Sequence, residues 1–269
     1  MIYVYPKLTK SGLGNLLFDW ARAEVFARKH NLPILNPRWV RFDRLGVWLR
    51  RERYKRYYGN SFRAAGFVTG IKRWWIEHCY PELSESDADS DCGARGKIVF
   101  SNTVSQFFDG LLQHHDYIYK RLLEIVNPNL VTASRDYESF IGLHVRRGDF
   151  CLSHLRTSDD WFISAAEKVL DMPEAKGIGD IRVFSDAYPS DIEPITKCLS
   201  RNGHNVIVMP KASAIQDILA LSRASVCVCS PHSTFSMWAV FLGQMPSVWK
   251  ESNPPPTLYC GDDKTVLMA

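Results

Sequence analysis

The chain is 269 residues long, with 46% hydrophobic, 23% charged and 12% aromatic residues. Those proportions fit one large or two moderate globular domains and exclude a disordered tail, a collagen-like rod and a small disulfide scaffold. The net charge of +4 is too small to argue for nucleic-acid binding, and the seven cysteines, at spacings that fit no zinc pattern, read as reduced thiols of an intracellular protein.

The first residues, Ile2-Tyr3-Val4-Tyr5, read as a strand, with no basic or apolar leader pattern before them. No apolar run reaches the roughly 18 residues of a membrane span, and the expected location is the cytoplasm. Residues 11–15 form a Gly-containing turn. Residues 15–29 form a helix with Leu17, Phe18, Ala21, Val25 and Phe26 on its apolar face. Leu32-Pro33-Ile34-Leu35 reads as the next strand. Residues 38–58 change character, with Arg38, Arg41, Arg44, Arg50, Arg51, Arg53, Lys55 and Arg56 against Asp43 and Glu52, and aromatics interleaved. Two readings stay open: a solvated helix whose basic stems lie over its aromatics, or a surface for an anionic acceptor, a membrane or RNA. Residues 82–93 turn acidic and read as a surface loop. A strand at 97–101 leads to a helix over 111–126, stopped by Asn127-Pro128-Asn129.

From about residue 138 the rhythm is regular. Strands at 140–145, 181–185, 205–209, 225–229 and 246–249 alternate with helices at 159–171, 190–200, 213–223 and 234–242. Such alternation means right-handed crossovers and a doubly wound parallel sheet, which binds ligands at the carboxyl ends of its strands. We therefore divide the chain into an N-terminal α/β domain, 1–137, and a C-terminal Rossmann-like domain, 138–269.

The carboxyl ends carry the chemistry. The first strand runs from Ile141 into His144-Val145-Arg146-Arg147-Gly148-Asp149. Arginine forks match phosphate oxygens, and Gly148 lets the backbone come close to a ligand; a structural Arg–Asp pair is the alternative. An adhesion role for Arg147-Gly148-Asp149 is disfavoured at a sheet end. Phe184-Ser185-Asp186 offers a carboxylate for a ribose or base amine, or a helix cap. Ser230-Pro231-His232-Ser233-Thr234-Phe235-Ser236 opens a helix with hydroxyls and N–H groups suited to an anion. Asp217 stands on the preceding helix. Together these groups suit a nucleoside diphosphate.

These residues also carry a resemblance. His144-Val145-Arg146-Arg147-Gly148-Asp149 resembles the His-x-Arg-Arg-Gly-Asp motif of the α-1,2-fucosyltransferases. Gly12-Leu13-Gly14-Asn15-Leu16-Leu17-Phe18-Asp19-Trp20-Ala21 is similar to that family's N-terminal segment, Ser233-Thr234-Phe235-Ser236-Met237-Trp238-Ala239 to its Ser-Ser/Thr-Phe-Ser-Trp-Trp-Ala segment, and Phe184-Ser185-Asp186 to its Phe-Ser-Asp strand end. Gln106-Phe107-Phe108-Asp109-Gly110 is similar only loosely. The matches keep the family's order over residues 12 to 242. Leu16, Asp19, Met237 and His232 depart from it near the expected cleft and bear on the acceptor.

The resemblance implies a GT-B fold of two Rossmann-like halves with the active site between them, using GDP-fucose with inversion and without a metal or other cofactor. It implies that Arg146 contacts the β-phosphate, that Arg147 assists or braces the loop, and that His144 shapes the donor pocket. Ser185 and Asp186 would lie near the guanosine, Ser233, Thr234 and Phe235 at the diphosphate, and Gly12, Gly14 and Asn15 across the cleft; Asp217 joins the donor set. The expected acceptor is a glycan of oligosaccharide, lipopolysaccharide or glycolipid type, with peripheral membrane contact through the basic stretch and no nucleic acid. Asp149 is the candidate general base, ahead of His154 and Asp19. Rival readings are a metal-dependent transferase on Asp87-Ala88-Asp89, a transferase with another donor sugar, and a non-catalytic nucleotide-sugar-binding protein.

Overall fold

Two parallel sheets, each in its own compact unit, frame the protein in a computed structural model that describes residues 1–39, 58–89, 95–134, 138–148, 156–261 and 266–269. The described residues of the first unit lie within Met1–Pro128 and those of the second within Asn129–Ala269. The basic stretch at 40–57, Asp149 and His154 fall outside the described residues.

In the first unit β1 (Ile2–Pro6) lies beside β3 (Gly96–Phe100), and β3 beside β2 (Glu82–Leu83), all parallel. The short β2 stands where a surface loop was expected: its Leu83 pairs with Ile98 and takes up the space over Gly96, where a Cβ would collide with Leu83. The strand expected at 32–35 is reduced to two parallel bridges, Val4 to Ile34 and Leu35 to Val68. Helix α1 (Leu13–Lys29) packs on β1 and β3. Period-two alternation sends Tyr3 and Tyr5 to the other face, where they meet Ile76 of α2 (Gly70–Cys79). Lys97 is buried in β3 and donates from Nζ to the carbonyls of Glu77 and Tyr80, both at 2.7 Å, which satisfies the carboxyl end of α2. The helix expected over 111–126 begins as a 3-10 turn, Leu112–His114, and becomes α3 at His115–Ile125. The short α4 (Pro128–Ala133) leads into the second unit.

The second unit alternates β4 (Ile141–Val145), α5 (Asp159–Leu170), β5 (Asp180–Ser185), α6 (Pro189–Arg201), β6 (Asn205–Val208), α7 (Ala214–Leu221), β7 (Val226–Val228), α8 (Thr234–Gly243) and β8 (Ser247–Trp249). A last strand, β9 (Val266–Met268), follows. The sheet order is β6-β5-β4-β7-β8-β9, all parallel. This is the doubly wound order, and its direction reverses between β4 and β7. Every residue of β4 is buried, as a strand covered on both faces requires. Ile141, Leu143 and Val145 point to the core made with Phe162, Val169, Ile192 and Leu199 of α5 and α6. Gly142 and His144 point the other way. A Cβ on Gly142 would press into Leu221 and Ala224, so glycine is what lets α7 lie against β4. His144 instead meets α8.

Candidate functional site

The reversal between β4 and β7 brings three strand ends together in the second unit. Asp186, just past β5, organises the turn leaving β4. Its Oδ1 accepts the backbone N–H groups of Arg147 at 2.8 Å and Gly148 at 3.0 Å, and its Oδ2 lies 3.1 Å from Arg146 Nε. The backbone N–H of Arg146 donates to Ser230 Oγ at 3.1 Å, which ties the end of β4 to the end of β7. Ser185 Oγ donates to the Val145 carbonyl at 2.6 Å and accepts from Ala187 N–H at 3.1 Å, clipping β5 to β4.

The two arginines part company at this turn. Arg146 keeps 22% of its side chain exposed, whereas Arg147 is fully buried. Arg147 donates to the Thr157 carbonyl, pairs with Asp159 at the start of α5, and lies 5.3 Å over the Phe162 ring. It ties the end of β4 to Thr157 and Asp159 at the start of α5, while Arg146 stands at the strand end.

His144 is buried on the α8 side. Its Nδ1 lies 2.6 Å from Ser236 Oγ, and its ring stacks on Phe235 with centroids 4.7 Å apart. Burial, and then the nearby Arg146 charge, push its pKa down to about 3, so the ring is neutral at any working pH. A neutral ring accommodates a cation beside it without repulsion. Burial also raises the Cys229 thiol well above its usual range, so neither it nor His144 supplies charge to this region.

The helix that follows β7 opens on Ser233, whose side chain makes no cap bond, unlike Ser158 and Ser213, which cap α5 and α7. The Ser233 side chain thus leaves the start of α8 uncapped by its own hydroxyl, at the positive end of the helix dipole. The turn into α8 closes with Ser233 N–H on the Ser230 carbonyl at 3.3 Å and holds His232 at φ 58, a left-handed position a non-glycine residue seldom takes. Asp217 is buried on α7.

The sequence-based set thus separates into groups. Arg146, Arg147, Ser185 and Asp186 are joined at one turn, and His144 and Phe235 are joined on the α8 side, with Ser233 and Thr234 at the same helix start. Gly12, Gly14 and Asn15 belong to the first unit, where Gly12 caps α1 by backbone alone and its carbonyl accepts from Asn15 N–H at 3.1 Å. Sequence reasoning missed Ser230, Ser236, Thr157 and Asp159 as partners. Ser230 and Ser236 stand in the quoted motif, so the signal for them was present. Asp87, of the Asp-x-Asp pattern, accepts from Ser84 N–H and Oγ, both at 2.8 Å, as a turn-closing carboxylate.

A family model described as Glycosyl transferase family 11 matches residues 71–249, more than half of the chain. The chain belongs to glycosyl transferase family 11. No curated protein sequence matches this family 11 member. Among solved structures it is similar to the NodZ α-1,6-fucosyltransferase co-crystallised with GDP, at 16% identity and TM-score 0.59, covering 93% of this chain and 95% of that one; NodZ from Bradyrhizobium is matched at 17% and 0.57, with 91% and 93% covered. A variant of Arabidopsis thaliana FUT1 in complex with GDP matches at 15% identity and TM-score 0.54, over 91% of this chain and 69% of that one. POFUT1 in complex with GDP matches at 13% and 0.52, over 91% and 96%. These likenesses establish the fold: α/β with parallel sheets, and GT-B-like.

Proposed function

We propose that this family 11 protein transfers fucose from GDP-fucose to a glycan hydroxyl, with inversion, α-1,2 linkage and no metal. The observation that carries this reading is Arg146, a partly exposed guanidinium at the switch point of a doubly wound sheet, held from Asp186 and tied by its backbone to Ser230. The ligands of the structural neighbours support the nucleotide: NodZ and POFUT1 are each solved with GDP and with GDP-fucose. The order of the sequence motifs supports the linkage.

In this reading fucose C1 loses the GDP oxygen as an acceptor oxygen bonds from the opposite face. Negative charge grows on the departing β-phosphate. Arg146 and the start of α8, with the Ser233 hydroxyl and the N–H groups of Thr234 and Phe235, meet that charge, preorganised electrostatics being the arrangement that contributes most to catalysis of this kind. Arg147 acts through the turn it braces. Neutral His144, fixed by Ser236 and Phe235, shapes the pocket wall. Ser185 and Asp186 hold the strand ends on the guanosine side, and Asp217 is proposed as a further donor contact. Gly12, Gly14, Asn15 and the base role of Asp149 are proposed from the resemblance alone.

Calorimetry of GDP-fucose, GDP-mannose, UDP-galactose and GDP, each with EDTA, tests the donor. Preference for GDP-fucose, with GDP close behind, is the expected result. Failure to bind any guanine nucleotide would refute the reading. Turnover on a galactoside panel, with the product linkage read by NMR, tests the rest, and binding without turnover would favour the non-catalytic alternative.

A further inference from the structure

Helix α2 is inside out. Its inward face holds Ile76, Arg73 and Glu77, while Ile71, Trp74 and Trp75 stand outward at 86%, 50% and 51% exposure. Glu77, the helix's one acid, is fully engaged: Tyr5 Oη donates to Oε1 at 2.6 Å, and Arg38 and Arg73 donate to Oε2 at 2.5 and 2.7 Å. Burial acts to raise its pKa, but the Tyr5 hydrogen bond and the two guanidinium charges outweigh it and hold the carboxyl below its usual value. The outer face therefore carries no carboxylate: beside the three apolar groups stand exposed His78, stacked on Trp74 at 4.9 Å, exposed Cys79, and exposed Lys72, whose Nζ lies 5.7 Å over the Tyr3 ring, with exposed Arg95 beyond the helix end, over the Tyr80 ring at 4.6 Å. The acids Glu82, Glu85 and Asp87 lie off the helix, on β2 and the 3-10 turn after it.

We propose that this face of α2 docks the protein on an anionic lipid bilayer. Residues 71, 74 and 75 fall within about 100° of the helix circumference, so they form one convex ridge rather than a groove. Trp74 and Trp75 point about 100° apart, which prevents both indoles from lying on a single sugar ring. A soft planar interface takes both. Indole rings settle at the headgroup level of a bilayer, isoleucine reaches deeper, and lysine and arginine at the border meet anionic headgroups. The positive border and the withdrawn acid favour an anionic bilayer over a neutral one. At about 15 Å the helix lies in the interface and does not span it. The docking stands independently of the transfer reaction.

The full chain is floated with vesicles of phosphatidylcholine alone and with about a third phosphatidylglycerol. The wild type binds the anionic vesicles and its tryptophan emission shifts to the blue. The double variant Trp74→Ser with Trp75→Ser binds at least about tenfold more weakly, and Lys72→Glu loses about tenfold on anionic vesicles alone. An unchanged thermal melt separates lost docking from lost folding, and Lys72→Glu, which keeps both indoles, stands as the test if the pair proves needed for the fold. Three outcomes overturn the proposal: a wild type that floats with neither vesicle, a double variant that floats as well as the wild type, or a ridge whose loss abolishes a concentration-dependent dimer or a complex with another protein instead.

Discussion

Arg146 and Arg147 are adjacent in sequence and opposite in environment, so the same substitution has different consequences at the two sites. Arg146→Ala removes a partly exposed charge and leaves Asp186 with its two backbone donors. The expected result is a loss of about a hundredfold or more in kcat/KM with the melting temperature little changed. Arg147→Ala removes a fully buried guanidinium and strands Asp159 and the Thr157 carbonyl. That should cost about 3–5 kcal/mol of stability, seen as a lower denaturation midpoint. If Arg146→Ala retains full activity, the phosphate role is excluded; if Arg147→Ala melts like the wild type, the bracing role is. Gly148 is the third member of this turn. A Cβ there would collide with the Asp186 carboxylate, so Gly148→Ala must displace the residue that orients Arg146. Weaker GDP binding, by about tenfold, and a stability loss of about 1–3 kcal/mol are expected from calorimetry and melting. The resemblance assigned the two arginines different roles, Arg146 at the phosphate and Arg147 assisting or bracing the loop, but it did not name the partners that separate them. Their difference follows from strand alternation and from Asp159, which lies 12 residues further on.

At the scale of elements, α1 shows how a departure from a family pattern can have a structural use. Asp19 is buried, and its Oδ1 accepts Thr103 N–H at 2.9 Å and Thr103 Oγ1 at 3.0 Å. One turn on, Arg22 donates to the carbonyls of Asp109 at 2.9 Å and Phe107 at 3.0 Å. The helix thereby fixes both ends of the segment leaving β3, which includes Asn102 and Phe107 at positive φ. Asp19→Ala leaves the Thr103 donors unmet, and we expect a loss of about 1–3 kcal/mol together with faster hydrogen exchange over 102–110. Unchanged exchange there would sink this account. The other elements were legible to different degrees. The second unit was legible almost strand by strand, because a sheet covered on both faces demands unbroken apolar runs and short helices between them. Helix α2 was not read at all, since its inward positions are Arg73 and Glu77 as well as Ile76. β2 hid within an acidic stretch because two residues show no period.

Across the whole molecule, the two units hold buried titratable groups that respond to acid with opposite signs. In the second unit, burial and Arg146 lower the His144 pKa to about 3, from its ordinary value of 6.5. The unfolded chain therefore binds a proton that the folded unit refuses, and stability present above pH 6.5 is lost as pH falls toward 3, by about 1.4 kcal/mol per pH unit. In the first unit, burial raises the carboxyls of Asp19 and Glu24, against the pull of Thr103 on one and of Arg121 and Tyr117 on the other. A raised carboxyl works the other way: the folded unit holds the proton more tightly, so the contribution is full below the unfolded pKa and is lost as pH rises through the folded one. Acid should thus loosen the second unit through His144, while Asp19 and Glu24 act in the opposite direction in the first. Hydrogen exchange followed from about pH 7 to about pH 5, corrected for the intrinsic rate, should show protection falling over β4 and α8 and holding over α1. His144→Asn, which keeps a polar atom near Ser236 without a proton to bind, should flatten the change in the second unit alone. Equal loss of protection in both units, or a His144→Asn variant as acid-sensitive as the wild type, would show that the neutral ring beside Arg146 is not what limits stability in acid.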